Sequence, residues 1–375
     1  MVLGAGFGGL ELSRRLSDEL GDEVRVTLVD RNDGFTIGFS KFEILFEGRE
    51  PADVRYAYRD ISMRGVEFRQ EEITSIDAAK RHVTTDGGSY EADYLVVALG
   101  ADYAPEATPG FVEDGYEFYS IAGAQRLRDH LPSVQGGKVV VAVLGVPYKC
   151  PPGPYEFLFL LHDRLTERGI RDSFEISFFN PMPAPLPPSP ETSEAIRRGM
   201  TDRGIPFEFG HRVAEIDPGK KVARFGDGRE VPYDLFVGIP VHRVPNVVQA
   251  SGLTKDGNDG WVKVDQETLE TPYPDVYAIG DCADAPVPRA GVFAEDAAKI
   301  AAADIIAKIR GDDRPGRYKG LGTCYLEFGG GKVGKVVADF LSGPKPELEF
   351  VEPSLDFRRD KEEFATSRRA RWFGG

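Results

Sequence analysis

The sequence predicts an α/β protein made of two Rossmann-like domains and a small C-terminal α+β domain. The first reason is a glycine-rich turn, Gly4-Ala-Gly-Phe-Gly-Gly9, which follows an apolar strand and opens a helix near Leu10. The second is an internal repeat, since Gly145 opens an equivalent turn and each turn is followed by strands of the same pattern. Strand, turn, helix and strand in this order are typical of a parallel sheet.

The strands of the repeat come in matching pairs. Residues 73–77 and 93–98 follow the first turn, and residues 213–217 and 233–237 follow the second. A glycine-containing turn signal precedes the later strand of each pair, which predicts a small antiparallel meander in each unit. The chain then returns to the first unit through a strand at 276–279 and an alanine-rich helix.

The repeat and the return of the chain give the expected domain boundaries. The first domain is discontinuous, and each of the other two carries one cysteine of interest. We expect a first domain at 1–110 and 252–310, a second Rossmann-like domain with Cys150 at 111–251, and a C-terminal domain with Cys324 at 311–375.

Composition and charge narrow the classes of partner. The 375 residues carry a net charge of −15, with 41% apolar and 29% charged residues, as in an ordinary globular protein. No long basic run is present, which argues against nucleic acid as a partner. No apolar run approaches the roughly 20 residues of a bilayer span. We expect a cytoplasmic or peripheral membrane protein, or a periplasmic one if an N-terminal leader has been removed.

The three cysteines suggest redox chemistry rather than a structural role. Cys150, Cys282 and Cys324 are too few and too scattered for a secreted disulfide scaffold or a zinc site, so no metal is expected. They suffice for one redox pair. Cys282 directly follows Asp281 and is expected to pack as a small apolar residue.

The first turn has the features of a dinucleotide site. Gly4, Gly6 and Gly9, with Phe7 between them, allow a tight turn and the close approach of a pyrophosphate to the helix N-terminus. Asp30 ends the second strand, 21 residues after Gly9, where a carboxylate binds a ribose hydroxyl. The alternative is a glycine turn that serves packing alone.

Two later segments identify the expected dinucleotide. The runs Leu95–Gly100 and Thr271–Asp281, the second ending in Gly280-Asp281, resemble signatures of the flavin-binding pyridine nucleotide-disulfide oxidoreductases. The resemblance implies GR-type FAD/NAD(P)-binding domains, FAD as the cofactor, and a contact from Asp281 to its ribityl chain. It also implies that the helix from Gly291 points its positive N-terminus at the flavin. A turn or helix-cap aspartate is the alternative for Asp281.

The second turn has been rebuilt around a cysteine. In Gly145-Val-Pro-Tyr-Lys-Cys150, Pro147 and Cys150 stand where the second and third glycines belong. The next strand ends in Asn180 instead of a ribose-binding acid, so direct oxidation of NADH is disfavoured. Cys150 precedes a helix start and neighbours Lys149, which predicts a lowered pKa and a reactive thiolate. A buried structural cysteine is the alternative.

Four runs resemble the sulfide:quinone oxidoreductases and the flavoprotein subunit of flavocytochrome c sulfide dehydrogenase. They are Lys149–Glu156, Pro240–Pro245, Pro288–Glu295 and Thr323–Phe328. The resemblance spans nearly the whole chain. It implies an FAD-dependent sulfide:quinone oxidoreductase with a redox disulfide between Cys150 and Cys324, Glu156 close to that disulfide, sulfide as substrate and a quinone as acceptor. The alternatives are a cytochrome-linked sulfide dehydrogenase subunit, a type II NADH:quinone dehydrogenase, and a flavin redox sensor without turnover.

Several features qualify this resemblance. No cysteine precedes Cys150, so the FAD is expected to be noncovalent, and Arg289 stands where family members often have lysine. Glu156 either takes a proton from hydrogen sulfide or stabilises the first helical turn. His242 either contacts a quinone or fixes its loop. The tail Ser367–Phe373 combines arginines with two aromatics, which favours peripheral membrane contact; the alternatives are packing over the flavin or against a second copy of the chain.

Overall fold

The computed structural model describes residues 1–254, 260–313 and 316–374, and it has the predicted α/β architecture. The strands, numbered in chain order, are β1 (Val2–Leu3), β2 (Val26–Asp30), β3 (Gly34–Thr36), β4 (Arg55–Ala57), β5 (Val66–Gln70), β6 (Ile73–Asp77), β7 (His82–Thr85), β8 (Ser89–Glu91), β9 (Leu95–Val97), β10 (Asp102–Ala104), β11 (Gly115–Tyr116), β12 (Gly137–Val143), β13 (Phe174–Asn180), β14 (Phe207–Phe209), β15 (Val213–Asp217), β16 (Val222–Phe225), β17 (Glu230–Pro232), β18 (Leu235–Ile239), β19 (Val241–Arg243), β20 (Val276–Ala278), β21 (Leu321–Glu327), β22 (Val333–Asp339) and β23 (Glu347–Ser354).

The α-helices alternate with these strands in the first two thirds of the chain. They are α1 (Phe7–Leu20), α2 (Ser40–Phe46), α3 (Phe111–Asp114), α4 (Ile121–His130), α5 (Gly153–Glu167), α6 (Pro190–Asp202), α7 (Asn246–Ala250), α8 (Gly291–Arg310) and α9 (Phe357–Phe373).

The first sheet is parallel and has the strand order β20-β9-β1-β2-β5. Its short apolar strands are buried, as expected where helices cover a parallel sheet. β20 comes from the chain beyond the second unit and pairs with β9. The first sheet is therefore assembled from two separate stretches of sequence, and the domain boundaries themselves stay predictions.

The second sheet, with the order β11-β18-β12-β13-β14, is also parallel. Each unit carries a three-stranded antiparallel meander, β6-β7-β8 in the first and β15-β16-β17 in the second. Both meanders have a register irregularity at the same place in their first strand, between Ile73 and Ser75 and between Val213 and Glu215. The repeat seen in the sequence is therefore a structural repeat.

The C-terminal unit is an antiparallel sheet, β21-β22-β23, with α9 packed against it. Gly329, Gly330 and Gly331 all have positive φ and join β21 to β22 in a hairpin. This sheet presents Cys324, which lies in β21 opposite Val336, to the interior of the molecule.

The C-terminal tail packs onto the first unit. Trp372 and Phe373 are 1% and 7% exposed, and Arg371 and Trp372 both donate hydrogen bonds to the Glu11 carboxylate on α1. The prediction that these two aromatics serve a membrane interface is wrong, because they are buried within the protein. No helix in the described ranges is both long and apolar enough to cross a bilayer.

Candidate active site

The glycines of the first turn have two different tasks. A Cβ on Gly4 would lie 2.4 Å from the Ala98 carbonyl oxygen, and one on Gly9 would lie 1.9 Å from the Gly4 carbonyl oxygen. These two positions are therefore glycine because backbones meet there. A Cβ on Gly6 would meet no protein atom within 4 Å, so Gly6 leaves open space at the start of α1.

That open space belongs to a long cavity of about 260 Å³, which we call the glycine cavity. Its walls are mainly apolar, and α1 and α8 both begin beside it. The structure brings most of the predicted cofactor residues to this one place: the cavity is lined by Gly6, Phe7, Gly100, Gly280, Asp281 and Gly291. Neither α1 nor α8 has a side-chain cap at its N-terminus, so their free N–H groups and positive dipole ends favour an anionic group there.

Asp30 supports the turn from outside the cavity. Its Oδ2 accepts a hydrogen bond from the Ala5 backbone N at 2.8 Å, and its Oδ1 accepts one from the Asn32 backbone N at 2.9 Å. The predicted contact of Asp30 with a ribose hydroxyl stays a prediction.

Asp281 is the acidic group of the glycine cavity, and three cations surround it. Burial raises the pKa of Asp281, while Lys149, Arg289 and Lys41 oppose that rise. Arg289 also donates from Nε to the Asp281 carbonyl oxygen at 3.1 Å, and its guanidinium lies 3.7 Å from the centre of the Trp261 ring. The cavity thus combines one carboxylate, fixed cations and two helix N-termini, which fits a flavin dinucleotide with its pyrophosphate and ribityl hydroxyls.

The second turn is longer than the first. β12 ends at Val143 and α5 begins at Gly153. Within the connection, Cys150 has a left-handed φ of 50°, and its backbone N donates to the Arg289 carbonyl oxygen at 2.8 Å. The rebuilt turn therefore reaches across to the first unit and places Cys150 at the glycine cavity.

Cys150 also lines a second, apolar cavity of about 180 Å³, which we call the cysteine cavity. Cys324 and Glu156 line the same cavity, so the structure brings the three predicted catalytic residues together. Phe7 and Gly291 line both cavities. All three cysteines of the chain are free thiols in this structure, and the disulfide between Cys150 and Cys324 stays a prediction.

The prediction of a lowered pKa for Cys150 is wrong. Its thiol opens onto the two cavities, yet protein atoms crowd around it, and burial raises its pKa, followed by the negative charges of Glu156 and Cys324. The Lys149 ammonium does not offset this, because it donates to the Ala101 carbonyl oxygen at 2.8 Å and lies 4.2 Å from the centre of the Tyr103 ring. The surroundings of Cys150 therefore favour the thiol over the thiolate.

Glu156 lies in the first turn of α5 and is 2% exposed. Its Oε1 accepts a hydrogen bond from the Glu327 backbone N at 3.0 Å. Burial raises the pKa of Glu156 to about 7, against the opposing effect of Lys361 and the Glu327 N–H group. A carboxyl group with this pKa, next to two thiols, can accept and return a proton near neutral pH.

The two remaining predicted residues, Cys282 and His242, are packed inside the protein. Cys282 is fully buried, as expected, and its thiol donates to the Val97 carbonyl oxygen at 3.4 Å. His242 is buried with Nδ1 2.7 Å from the Pro240 carbonyl oxygen, and burial lowers its pKa to about 3. This bond fixes the loop, in line with the structural alternative for His242. In the described part of the chain, no group of three or more His, Cys, Asp and Glu side chains is placed to bind a metal ion.

The residue that stands in place of a ribose-binding acid, Asn180, is packed inside the protein. Asn180, at the end of β13, is fully buried. Its amide donates to the Tyr155 hydroxyl at 3.0 Å, and its Oδ1 accepts from the Met182 backbone N. Asn180 is therefore part of the packing around α5, which supports the expectation that the second unit does not bind NADH.

Four contributors to the site were not predicted from sequence. Tyr119 donates from its hydroxyl to the Cys150 carbonyl oxygen at 3.2 Å, and Lys41 of α2 lines the glycine cavity. Glu327 and Lys361 form an ion pair beside Glu156. Glu327 lies in the run Thr323–Phe328 but was assigned no role there, and the other three residues belong to no recognisable motif. The roles of all four follow from contacts between residues that are distant in sequence.

Several known proteins are similar to this chain over most of its length. Mouse mitochondrial sulfide:quinone oxidoreductase is 25% identical over 376 residues, covering 93% of this chain and 80% of that protein. An NADH dehydrogenase-like protein of Mycobacterium tuberculosis is 27% identical, covering 76% of this chain and 72% of that protein. The X-ray structure of the sulfide:quinone oxidoreductase of Aquifex aeolicus matches with a TM-score of 0.87 at 22% identity, covering 100% of this chain and 92% of that one. The model of the pyridine nucleotide-disulphide oxidoreductase family matches residues 1–146 and 170–302, and the chain belongs to that family.

Proposed function

We propose that this protein is an FAD-dependent sulfide:quinone oxidoreductase that works through a redox disulfide between Cys150 and Cys324. The observation that carries the proposal is the position of Cys150, which lines both the glycine cavity and the cysteine cavity. A thiol at this junction can exchange electrons with a flavin on one side and sulfur with a substrate on the other. The similarity to proteins named for sulfide and quinone supports the same assignment.

The glycine cavity would hold the FAD. Gly6 and the N-terminus of α1 would receive its pyrophosphate, Asp281 its ribityl hydroxyls, and the N-terminus of α8 its isoalloxazine. Binding would be noncovalent, since no cysteine precedes Cys150 in the sequence. When bound, the flavin supplies a two-electron acceptor that passes its electrons on to a quinone.

The cysteine cavity would hold the sulfur chemistry. The Glu156 carboxylate takes a proton from hydrogen sulfide, and the resulting hydrosulfide attacks one sulfur of the disulfide. The S–S bond breaks, leaving a persulfide on one cysteine and a thiolate on the other. Removal of two electrons and of the persulfide proton restores the disulfide, and a second hydrosulfide takes up the outer sulfur to leave as HSS−, with sulfane sulfur as the product. Burial raises the pKa of both Cys150 and Cys324, which disfavours accumulation of the thiolate released in this step.

An anaerobic titration of the FAD-loaded protein tests the proposal. Sulfide should bleach the flavin absorbance rapidly after mixing, and NADH at the same concentration should bleach it far more slowly. The NADH arm matters because one relative is named as an NADH dehydrogenase-like protein. Rapid bleaching by NADH with none by sulfide would refute the assignment and favour a type II NADH:quinone dehydrogenase.

The electron acceptor is tested separately. Reoxidation of the sulfide-reduced protein by a short-chain quinone should restore the flavin absorbance, whereas a c-type cytochrome alone should not. Fast reoxidation by the cytochrome and none by the quinone would instead favour the sulfide dehydrogenase type of enzyme. A flavin that neither sulfide nor NADH reduces would favour a redox sensor without turnover.

A further inference from the structure

A buried lysine connects the C-terminal helix to the cysteine cavity. Lys361 on α9 is 7% exposed, although the segment around it is rich in charged residues. Its Nζ lies 2.5 Å from Glu327 Oε1 and 4.7 Å from the centre of the Phe39 ring. A lysine is rarely buried without a partner, and here the partner is a carboxylate of the strand that carries Cys324.

Glu327 makes two contacts in two directions. Its side chain pairs with Lys361, and its backbone N donates to Glu156 Oε1 at 3.0 Å. β21 thus holds Cys324 and, three residues later, the group that orients the Glu156 carboxylate. The ion pair and the backbone hydrogen bond form one continuous chain of contacts from α9 to α5.

The charged and titratable groups that face Glu156 come from every neighbouring element. α9 contributes Lys361, and β21 contributes Glu327 and Cys324. The rebuilt turn contributes Cys150, and the segment after β11 contributes Tyr119. Among these, Lys361 is the cation.

We infer that Glu327 and Lys361 are positioning residues that fix the Glu156 carboxylate beside the two cysteines and control how readily it takes a proton. The identity of the proton donor, hydrogen sulfide, rests on the proposed function; the placement of the carboxylate does not. In the step concerned, the S–H bond of hydrogen sulfide breaks and an O–H bond forms on Glu156. The freed electron pair on sulfur attacks the disulfide, and the electrons of the S–S bond stay on the departing cysteine.

The two members of the pair act on Glu156 with opposite signs. Lys361 lowers the pKa of Glu156 because its positive charge stabilises the carboxylate, whereas the negative charge of Glu327 raises it. Lys361→Met should therefore raise the titration midpoint of Glu156. Glu327→Gln should lower it, because it removes a negative charge, leaves Lys361 without its partner and retains the backbone N–H donor.

An infrared titration of the protonated carboxyl band measures this without turnover. The band that disappears in Glu156→Gln reports the group, and its midpoint should rise by about one pH unit in Lys361→Met and fall by about one in Glu327→Gln. Lys361→Arg should keep the parent midpoint because it keeps the charge. Lys335→Met is a matched control, since it breaks a different ion pair between β22 and α9, with Asp360, and should leave the midpoint unchanged.

The outcomes separate this inference from the proposed function. Unchanged midpoints in both variants, shifts of the same sign, or an equal shift in Lys361→Arg and Lys361→Met would overturn it. The same variants should move the pH dependence of sulfide-driven flavin reduction in the directions of their infrared midpoints. A parent protein that sulfide does not reduce would refute the proposed function, while the infrared result would still decide the role of the pair.

Discussion

The first turn joins β1 to α1 through residues 4–6, whereas the second joins β12 to α5 through residues 144–152. Both connect a central parallel strand to the following helix. The backbone of the short first turn packs closely against neighbouring backbone and leaves open space beside Gly6. The long one crosses to the other unit and delivers Cys150. The same topological position thus leaves open space at a helix N-terminus in one unit and places a cysteine between two cavities in the other.

The helices that follow the two turns each bury a glutamate near their start, and the two glutamates differ in their partners. Glu11 on α1 accepts hydrogen bonds from Arg371, Trp372 and Arg15, which outweigh the effect of burial and lower its pKa. Glu156 on α5 has a single backbone donor, and burial raises its pKa to about 7. A buried carboxyl is a structural anchor when cations surround it and a proton acceptor when they do not.

The largest effect should come from the cysteine of the second turn. Cys150→Ser and Cys324→Ser should each slow sulfide-driven flavin reduction by about a thousandfold or more, because a hydroxyl cannot form the disulfide. Stopped-flow absorbance under anaerobic conditions measures the rate. Cys282→Ser is the matched control, since its buried thiol is expected to have no role in the reaction. A rate in Cys150→Ser within a few fold of the parent would remove the basis for calling this turn a thiol site.

The ion pair between Glu11 and Arg371 should contribute to the free energy of unfolding. Arg371→Met should lower the free energy of unfolding by about 3 kcal/mol, because it leaves a buried carboxylate with too few donors. Urea unfolding measures the difference. Arg14→Met on the same helix breaks a partly exposed pair with Asp18 and should cost well under about 1 kcal/mol. Equal losses in the two variants would mean that the contact of α9 with α1 is no stronger than a surface ion pair.

The proposed role of Glu156 as a proton acceptor should be visible in the pH dependence of the reduction rate. Because the pKa of Glu156 is about 7, its proton-accepting form accumulates as the pH rises through neutrality, and the parent's reduction rate should rise with it. Glu156→Gln should be slower by about a hundredfold above that pH and should lack this rise. The ratio of the two rates at each pH cancels the ionisation of sulfide itself. Glu11→Gln should keep the parent profile; a flattened profile there would contradict the division of roles.

The smallest effect is expected for a substitution of Gly6, whose role in the first turn differs from that of Gly9. Gly6→Ala should leave the flavin-free protein as stable as the parent, since its Cβ meets no protein atom within 4 Å, and should weaken flavin retention by about tenfold. Flavin release, followed by fluorescence, and thermal unfolding measure the two effects. Gly9→Ala should impair folding instead, because its Cβ would lie 1.9 Å from a carbonyl oxygen. Undiminished flavin retention in Gly6→Ala would place the pyrophosphate elsewhere.

Local patterns predicted the fold closely. The strands expected at 73–77 and 213–217 are β6 and β15 to the residue, and the helix expected from Gly291 is α8, which ends at Arg310. Alternation, glycine turns and alanine content are properties of neighbouring residues, so sequence reports them directly. α1 begins at Phe7, before the predicted start near Leu10. Gly8 and Gly9 have a low helix propensity, so the sequence pattern does not predict a first turn that tertiary contacts stabilise.

The sequence predicted which residues form the candidate site, but not the pKa values of their side chains. Motif resemblance pointed to Cys150, Cys324 and Glu156, which line one cavity. Burial, which dominates the pKa of all three, depends on the packing of distant segments, and a neighbouring lysine in sequence points elsewhere in space. Lys361 was missed for the same reason: its segment has the composition of a solvated helix face, and only the fold turns this one side chain inward.

The hydrogen bond from the Cys150 backbone to the Arg289 carbonyl oxygen has a consequence for how this chemistry could be transplanted. The backbone around Cys150 makes a strand-like contact with the first unit. The orientation of the Cys150 side chain therefore depends on the interface between the two units. Grafting the nine-residue connection at 144–152 into a relative would carry over the cysteine but not its orientation. The complementary edge around Arg289 would have to move with it.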